Sequence, residues 1–286
     1  MQAGVRILSS ERRDASVMNV VEVSLSNLEM PAARAEPYRI RCAEILGGIL
    51  AIDADIATRG LSASLFSTAH DGDRGGDMYY VSVCKWDYLT RIAVADVRGH
   101  GGQASRISAW VYEAMQKRMN TTSGHKILSD LNGIVRDRGF DAITTAAVVG
   151  YHVNKRRLYF SYAGHPPAYV QQAQGAWQPL TLPSARFPPL GGPANLPLGV
   201  LPRVSYDLED IKMQPGDRIC LYTDGITDCA GPDDEPFGDI RLLDSLNRNA
   251  ELSPAGLKNA VLADFQRHRG ECPLDDDVTL LIAEVS

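Results

Sequence analysis

The sequence lacks any apolar stretch long enough to cross a membrane. Its longest apolar runs, such as residues 45–52, are far shorter than the roughly 20 residues that a membrane-spanning helix needs. The N-terminal residues MQAGVRILSSERRD carry charges where a secretory signal would have an apolar core. These absences predict a soluble, cytoplasmic protein with no membrane partner.

Cysteine pairs and basic clusters are also scarce. The five cysteines are an odd number, and no two are spaced as Cys-x-x-Cys. We therefore expect reduced, buried thiols and no disulfide framework. The 29 Lys and Arg against 35 Asp and Glu give a net charge of −6, without a long basic block. This balance argues against nucleic acid as a partner, because binding along a phosphate backbone needs clustered cations.

The rest of the composition is that of a globular protein with a sizeable core. The 286 residues are 44% hydrophobic and 22% charged. A chain of this length can bury about three quarters of the surface that its unfolded form exposes. Residues 61–286 are predicted to form one domain. Residues 1–60 have less regular patterns and are predicted to form an N-terminal extension that packs partly on this domain.

Hydrophobic periodicity predicts strands, two helices, more strands, a third helix and a final strand. Residues 78–86 and 90–97 are predicted to pair as a hairpin, and the helices are expected near residues 107–115, 127–135 and 254–268. Residues 183–202 contain six prolines and are expected to form a long loop. Grouped strands and helices favour an α+β sandwich over alternating βαβ units.

Four aspartates stand where apolar strands begin or end: Asp77, Asp96, Asp224 and Asp276. One such residue is usually a turn former or a helix cap. Four at the tips of one large sheet system could converge, and converging carboxylates either gain protons or bind a cation. Oxygen ligands suit Mg²⁺ and Mn²⁺, and two such ions could activate a water molecule and hold a phosphoryl group.

The segments GGDMYY, ADVRGHGGQAS, YAGHPPAYV, PGDRICLYTDGITD and DDVTLLI occur in this order along the chain. In order and spacing they resemble the SpoIIE/RsbU-type bacterial serine/threonine phosphatases, a branch of the PP2C-like (PPM) metal-dependent phosphatases. The resemblance covers residues 61–285. It implies an α+β fold, a PP2C-like β-sandwich of two antiparallel sheets flanked by helices, with residues 61–286 as the phosphatase domain.

The resemblance also implies an activity and its cofactors. The expected reaction is hydrolysis of phosphoserine or phosphothreonine on a bacterial signalling protein, with two Mn²⁺ or Mg²⁺ ions and no covalent phosphoenzyme. Asp77 and Asp96 would be the catalytic aspartates. The implied metal ligands are Asp77, Asp96, the Val97 backbone carbonyl, Asp224 and Asp276, with Asp277 as the alternative to Asp276.

The partner implied by the resemblance is a phosphorylated protein, such as an anti-anti-sigma factor of the STAS type. A homodimer is left open. Two departures from the family concern regulation and the site. Tyr80 stands where the family often has an acidic residue, and residues 1–60 are too short for a typical sensor domain, so the sequence does not identify the activating signal.

Three further residues could each have one of two roles, and a fourth is expected to be structural. His100 could donate a proton to the leaving serine oxygen or fix its loop by hydrogen bonding. Arg74 and Arg98 lie close to Asp77 and Asp96 in sequence and could contact a phosphate or remain solvated. His165, which precedes two prolines, is predicted to have a structural role.

Other activities fit the sequence less well. A haloacid-dehalogenase-type phosphatase would need an aspartate two residues before Asp224, where the chain has Tyr222. A serine hydrolase would need a Gly-x-Ser-x-Gly elbow, which is absent. The remaining alternative is a catalytically weak pseudophosphatase that acts as a regulatory protein-binding module.

Overall fold

The structure is a computed structural model that describes residues 36–70, 74–99, 101–118, 120–182 and 195–286, and the backbone of residues 6–9 and 19–22. Within these residues the strands form two sheets. Sheet I contains, in spatial order, β13 (Glu209–Lys212), β10 (Arg157–Ala163), β9 (Thr144–His152), β8 (Leu89–Val97), β7 (Arg74–Val83), β4 (Glu44–Leu50), β1 (Arg6–Ser9) and β2 (Asn19–Glu22). Sheet II contains β12 (Gln178–Pro179), β11 (Tyr169–Gln171), β14 (Arg218–Tyr222), β15 (Val278–Val285), β6 (Leu61–Thr68), β5 (Ile52–Ala57) and β3 (Tyr38–Arg39).

Helices cover the outer faces of the two sheets. The helices are α1 (Gly101–Gln116), α2 (Gly124–Arg136), α3 (Asp224–Thr227), α4 (Gly238–Arg248) and α5 (Pro254–Arg269). Side chains of α1 and α2 pack on sheet I, and side chains of α3, α4 and α5 pack on sheet II. No helix in the described part of the chain combines the length and the apolar character that crossing a membrane requires.

Strand alternation creates the apolar layers of the sandwich. On β7, Tyr79 and Val81 face the layer between the sheets, while Met78 and Tyr80 face the helices on sheet I. On β15, Leu281 faces the inner layer and Leu280 faces the helices on sheet II. The predicted α+β sandwich is therefore confirmed. Among the strands that the structure describes, the pairs are antiparallel apart from the short parallel pair of β3 and β5.

The two ends of the sandwich have different compositions. Because β7 and β8 form an antiparallel hairpin, Asp77 near the start of β7 lies opposite Asp96 near the end of β8. We call this end, which also receives the loops containing Asp224 and Asp276, the carboxylate end. The turns at residues 58–60, 84–88 and 153–156 lie at the other end, which we call the aromatic end.

Several predicted elements need correction. α1 forms as predicted, but Ile107 and Trp110 are only partly buried, and its small residues Ala104 and Ser108 face the sheet. α4 was not predicted. β13 and β14 lie on either side of the turn at residues 215–217 and belong to different sheets. The chain crosses between sheets there because β13 pairs with β10 and β14 with β11 and β15.

Strands on both sides of residue 60 belong to the same sheets. β4 pairs with β7, and β5 pairs with β6. The domain division at residue 60 stays a prediction. Of the predicted proline-rich loop, residues 183–194 lie outside the described residues, and residues 195–202 contain no helix or extended strand.

Candidate active site

Asp77 and Asp96 form the centre of the carboxylate end. They are directly opposite each other on β7 and β8, and only 3% and 9% of their surfaces are exposed. Burial raises the pKa of both carboxyls well above the usual range. Neighbouring carboxylates raise these pKa values further, among them Asp277 and Asp224 for Asp77, and Asp77 and Asp224 for Asp96. A buried cross-strand pair of like charges is destabilising unless protons or a cation compensate it.

Hydroxyl groups from sheet II hold Asp77 in place. Thr223 and Thr279 donate hydrogen bonds to Asp77 Oδ2, over 2.8 Å and 2.6 Å. The Thr279 backbone amide donates to Thr223 Oγ1 over 2.9 Å, and the Ser67 hydroxyl lies 2.9 Å from that of Thr279. Both side-chain bonds to Asp77 end on Oδ2, so Oδ1 is the oxygen left to face a ligand.

Asp96 differs from Asp77 in its hydrogen bonding. Its pKa is raised by burial first and then by neighbouring carboxylates, whereas for Asp77 the hydrogen bonds from Thr279 and Thr223 partly offset the increase in pKa. The Val97 backbone carbonyl oxygen lies beside it and close to Gly76: a methyl group at Gly76 would approach this oxygen to 2.8 Å. Glycine at position 76 therefore lets β7 approach the end of β8 closely.

Asp277 anchors the loop that carries these glycines. Its Oδ1 accepts a hydrogen bond from the His70 amide over 2.6 Å. Its Oδ2 accepts hydrogen bonds from the amides of Gly76 and Asp77, the latter over 3.1 Å. A methyl group at Gly75 would collide with the Asp277 carboxylate. Three backbone amides thus donate hydrogen bonds to this carboxylate, which therefore holds the backbone of the site in position.

Asp224 and Asp276 approach from the loops around sheet II. Asp224 is the first residue of α3, and its pKa is raised to about 6, mainly by burial and then by Asp228 and Asp276. The glycine after it is required: a methyl group at Gly225 would lie 1.8 Å from the Asp277 carbonyl oxygen. Asp276 is partly exposed, and its Oδ1 accepts a hydrogen bond from the Asp277 amide.

The arginines and histidines predicted for this site have different positions. Arg74 and Arg98 are both exposed at the carboxylate end, and within the described chain neither forms an ion pair. His100 lies outside the described residues. His165 is buried, with Nδ1 3.1 Å from the hydroxyl of Thr145, which lies opposite Asp96 on β9.

The carboxylates are gathered at one end but do not form a closed cage. Among the residues that the structure describes, no three Asp, Glu, His or Cys side chains form a group ready to hold a metal ion. The aspartates are nevertheless close enough for each charge to raise the pKa values of its neighbours. In the described part of the chain, Asp77, Asp96 and Asp224 form no ion pair with Lys or Arg. This all-oxygen donor set fits a hard divalent cation, which would neutralise the repulsion.

Several supporting residues were missed in the sequence. Thr223 and Thr279 flank the predicted aspartates and bind Asp77, and the buried Ser108 hydroxyl of α1 donates to the Gly76 carbonyl. Thr279 could have been recognised in the sequence, because it places a hydroxyl on the inward face of an otherwise apolar strand. The departure at Tyr80 also has an explanation: its ring packs edge-on against Tyr112 on the helix side of sheet I, away from Asp77.

Comparisons with known proteins agree with this fold. The family model described as stage II sporulation protein E (SpoIIE) matches residues 87–286. The phosphoserine phosphatase RsbP of Bacillus subtilis (strain 168) is 24% identical over 217 residues, covering 73% of this chain and 49% of that protein. The chain thus spans about half the length of this curated relative.

Solved structures show the same architecture. The SiaA-PP2C domain of Pseudomonas aeruginosa is similar with a TM-score of 0.67 and 22% identity, covering 78% of this chain and 86% of that one. The catalytic domain of the serine threonine protein phosphatase PstP, in complex with 2 manganese ions, has a TM-score of 0.52 and 18% identity, covering 79% of this chain and 98% of that one. The family prediction is therefore confirmed: the chain belongs to the SpoIIE family, within the PP2C-like fold.

Proposed function

We propose that this protein is a metal-dependent phosphoprotein phosphatase that hydrolyses phosphoserine or phosphothreonine. The observation that carries the proposal is the buried Asp77–Asp96 pair, in register and without a Lys or Arg partner in the described chain. Membership of the SpoIIE family and the similarity to a phosphoserine phosphatase support it. The manganese-bound structure of a protein with the same fold supports a divalent cofactor.

The residues that would hold two Mn²⁺ or Mg²⁺ ions can be ranked by their hydrogen bonds. Asp96 would be one of the ligands, since burial and neighbouring carboxylates leave its negative charge to be compensated. Asp77 would contribute Oδ1, because Oδ2 accepts bonds from Thr223 and Thr279. The Val97 carbonyl, Asp224 and Asp276 would complete the set. Asp277 is engaged by three backbone amides, so we favour Asp276 of the two alternatives.

The protein's own residues would bind and orient the substrate. When bound, divalent ions lower the pKa of water and offset the charge of a phosphoryl group. Arg74 and Arg98 flank the carboxylate end and are exposed, so their guanidinium groups are available to a phosphate that approaches Asp96. Proton donation to the leaving oxygen by His100 stays a prediction.

The substrate is proposed by chemistry and by relationship. The relative RsbP is a phosphoserine phosphatase, which supports a phosphorylated regulatory protein as substrate. A small phosphorylated regulator of the STAS type, encountered in the cytoplasm as part of a signalling pathway, is the substrate we propose. The exposed guanidinium groups of Arg74 and Arg98 would be accessible to a phosphorylated protein.

Hydrolysis of p-nitrophenyl phosphate and of a phosphoserine peptide, with Mn²⁺ and with EDTA, tests the proposal. We expect turnover of both substrates with Mn²⁺ and its loss in EDTA. Turnover that survives the chelator would contradict a metal-dependent mechanism. A folded protein that hydrolyses neither substrate with Mn²⁺ or Mg²⁺ would contradict the proposed activity and favour the alternative, a pseudophosphatase that serves as a protein-binding module.

A further inference from the structure

His165 is a buried imidazole at the carboxylate end that the proposed mechanism does not use. It is 1% exposed, and its Nδ1 lies 3.1 Å from the Thr145 hydroxyl. The ring also interacts with the backbone of Tyr222, the last residue of β14. One side chain therefore connects β9 of sheet I with β14 of sheet II. The connection lies next to Asp96 on one side and two residues before Asp224 on the other.

The protonation of the ring follows from its contacts. Burial lowers the pKa of His165 to about 3, so the ring is neutral near pH 7 and carries a single N–H. A backbone carbonyl can only accept a hydrogen bond, so the interaction with Tyr222 calls for an N–H on the ring. Nε2 makes no hydrogen bond within the described residues, so a proton there competes with no other contact. With the proton on Nε2, Nδ1 is the acceptor and the Thr145 hydroxyl is the donor.

The direction of the Thr145 hydroxyl matters for Asp96. The two residues are directly opposite on β9 and β8, where cross-strand Cβ atoms are about 4.5–5.5 Å apart. A threonine at that distance can donate a hydrogen bond to the carboxylate across the strand. With the proton of His165 on Nε2, the Thr145 hydroxyl donates to Nδ1 instead of to Asp96.

We propose that His165 is a positioning residue that holds the Thr145 hydroxyl and thereby leaves both oxygens of Asp96 available to divalent cations. This inference rests on the proposed metal-dependent function. A role in packing alone would not involve Thr145. Our proposal instead predicts that losing the imidazole weakens metal binding because it frees the Thr145 hydroxyl. Removing that hydroxyl should then repair the site.

The experiment measures the Kd for Mn²⁺ alone by titration calorimetry, together with the thermal midpoint of each protein. His165→Ala should weaken Mn²⁺ binding roughly tenfold, within the range seen when groups behind a metal ligand are removed. The double variant His165→Ala/Thr145→Val should bind Mn²⁺ within about threefold of the wild type, since the two sites act through one contact. Ser161→Ala is the matched control. It removes a fully buried hydroxyl from β10 that donates to the backbone carbonyl of Asp207. This contact does not involve the aspartates of the carboxylate end.

The outcomes separate this inference from the proposed function. Ser161→Ala should lower the thermal midpoint without changing the Kd. If His165→Ala binds Mn²⁺ as tightly as the wild type, or if Thr145→Val does not restore binding in its background, His165 is a packing residue and the inference is wrong. If the folded wild-type protein binds no Mn²⁺ or Mg²⁺, the metal-dependent function itself is wrong.

Discussion

The carboxylate end and the aromatic end of the sandwich are built from the same strands but differ in how their charged side chains are compensated. At the aromatic end, Trp86 is 54% exposed, stacks on Tyr88 at 5.9 Å and lies under the Lys85 ammonium. Tyr88 in turn stacks on His152 at 4.8 Å. Rings cover the strand ends there, and the buried Asp217 carboxylate at this end accepts hydrogen bonds from two backbone amides. At the carboxylate end, aspartates are buried beside one another.

The difference shows that the carboxylate end is the part of the sandwich that lowers the stability of the fold. One buried charge elsewhere has a partner of opposite sign: the Lys258 ammonium of α5, which is almost fully buried, binds the Asp53 carboxylate of β5. The Asp77–Asp96 pair has no such cation among the described residues, and its repulsion must be relieved by protons or by a bound ion. Local conflicts of this kind are expected at functional sites.

The largest expected effect comes from breaking the carboxylate end. Asp96→Ala should lower the rate of phosphoester hydrolysis with Mn²⁺ about a thousandfold or more, because a metal site supplies several kcal/mol of transition-state stabilisation. In EDTA the variant should unfold at a higher temperature than the wild type, since one of two repelling carboxylates is gone. Trp86→Ala at the aromatic end is the control and should keep wild-type turnover. Near-normal hydrolysis by Asp96→Ala would refute the assignment.

Removing one hydroxyl at each end sharpens the comparison. Thr279→Val deletes a hydrogen bond to Asp77 and should weaken Mn²⁺ affinity about 10–100-fold, the range for groups that orient metal ligands. Thr90→Val deletes a buried hydroxyl near the aromatic end, which donates to Thr58, and should leave the affinity unchanged. Calorimetric titration with Mn²⁺ measures both. Equal losses in the two variants would show that the effect is one of general stability.

Two glycines test the close packing behind the site. Gly225→Ala would place a methyl group 1.8 Å from the Asp277 carbonyl oxygen and should destabilise the protein by about 1–3 kcal/mol or more. Gly133→Ala, on the exposed side of α2 with open space around it, should stabilise by about 0.5–1 kcal/mol. Urea unfolding of both variants gives the comparison. A neutral Gly225→Ala would mean that the loops are not packed as described.

The smallest expected effect is a pH dependence confined to the carboxylate end. In the metal-free protein the pKa of Asp224 is raised from 3.8 to about 6, and those of Asp77 and Asp96 are also raised by burial. A raised carboxyl pKa stabilises the native state while the group is protonated. This contribution is therefore complete below pH 3.8 and is lost as the pH rises through about 6.

The measurement is the shift of the thermal midpoint that Mn²⁺ causes at pH 5 and at pH 7. The shift should be larger at pH 7, because protons no longer compete with the ion. Each additional kcal/mol should appear as about 2–4 °C for a protein of this size. Equal shifts at the two pH values would contradict the raised pKa values.

Much of the fold was predictable because periodicity is a local property. The apolar stripe of Ile127, Leu128, Leu131 and Val135 predicted α2, and all four side chains are buried. Alternation and a short turn predicted the hairpin of β7 and β8. α4 was missed although its apolar positions include Leu242 and Leu246, which are buried. The assignment of β13 and β14 to different sheets was also missed, because pairing depends on partners elsewhere in the chain.

The site was predictable in its residue types and less so in its arrangement. Their positions at strand ends identified four aspartates as candidate site residues: Asp77, Asp96, Asp224 and Asp276. The structure places all four at the carboxylate end of the sandwich. Their assignment as metal ligands stays a prediction. The resemblance favoured Asp276, with Asp277 as the alternative, and the structure distinguishes the two by hydrogen bonds between Asp277 and residues about 200 positions away.

The sequence by itself determined which residues carry charge, which strands are apolar and which family the ordered motifs resemble, since each of these depends on neighbours in the chain. Only the tertiary structure decided which oxygen of Asp77 accepts hydrogen bonds, which carboxylate anchors the glycine loop and which hydroxyl lies beside His165. The reason is physical: burial and hydrogen bonding at the carboxylate end are set by groups from both sheets, which come together only when the sandwich closes.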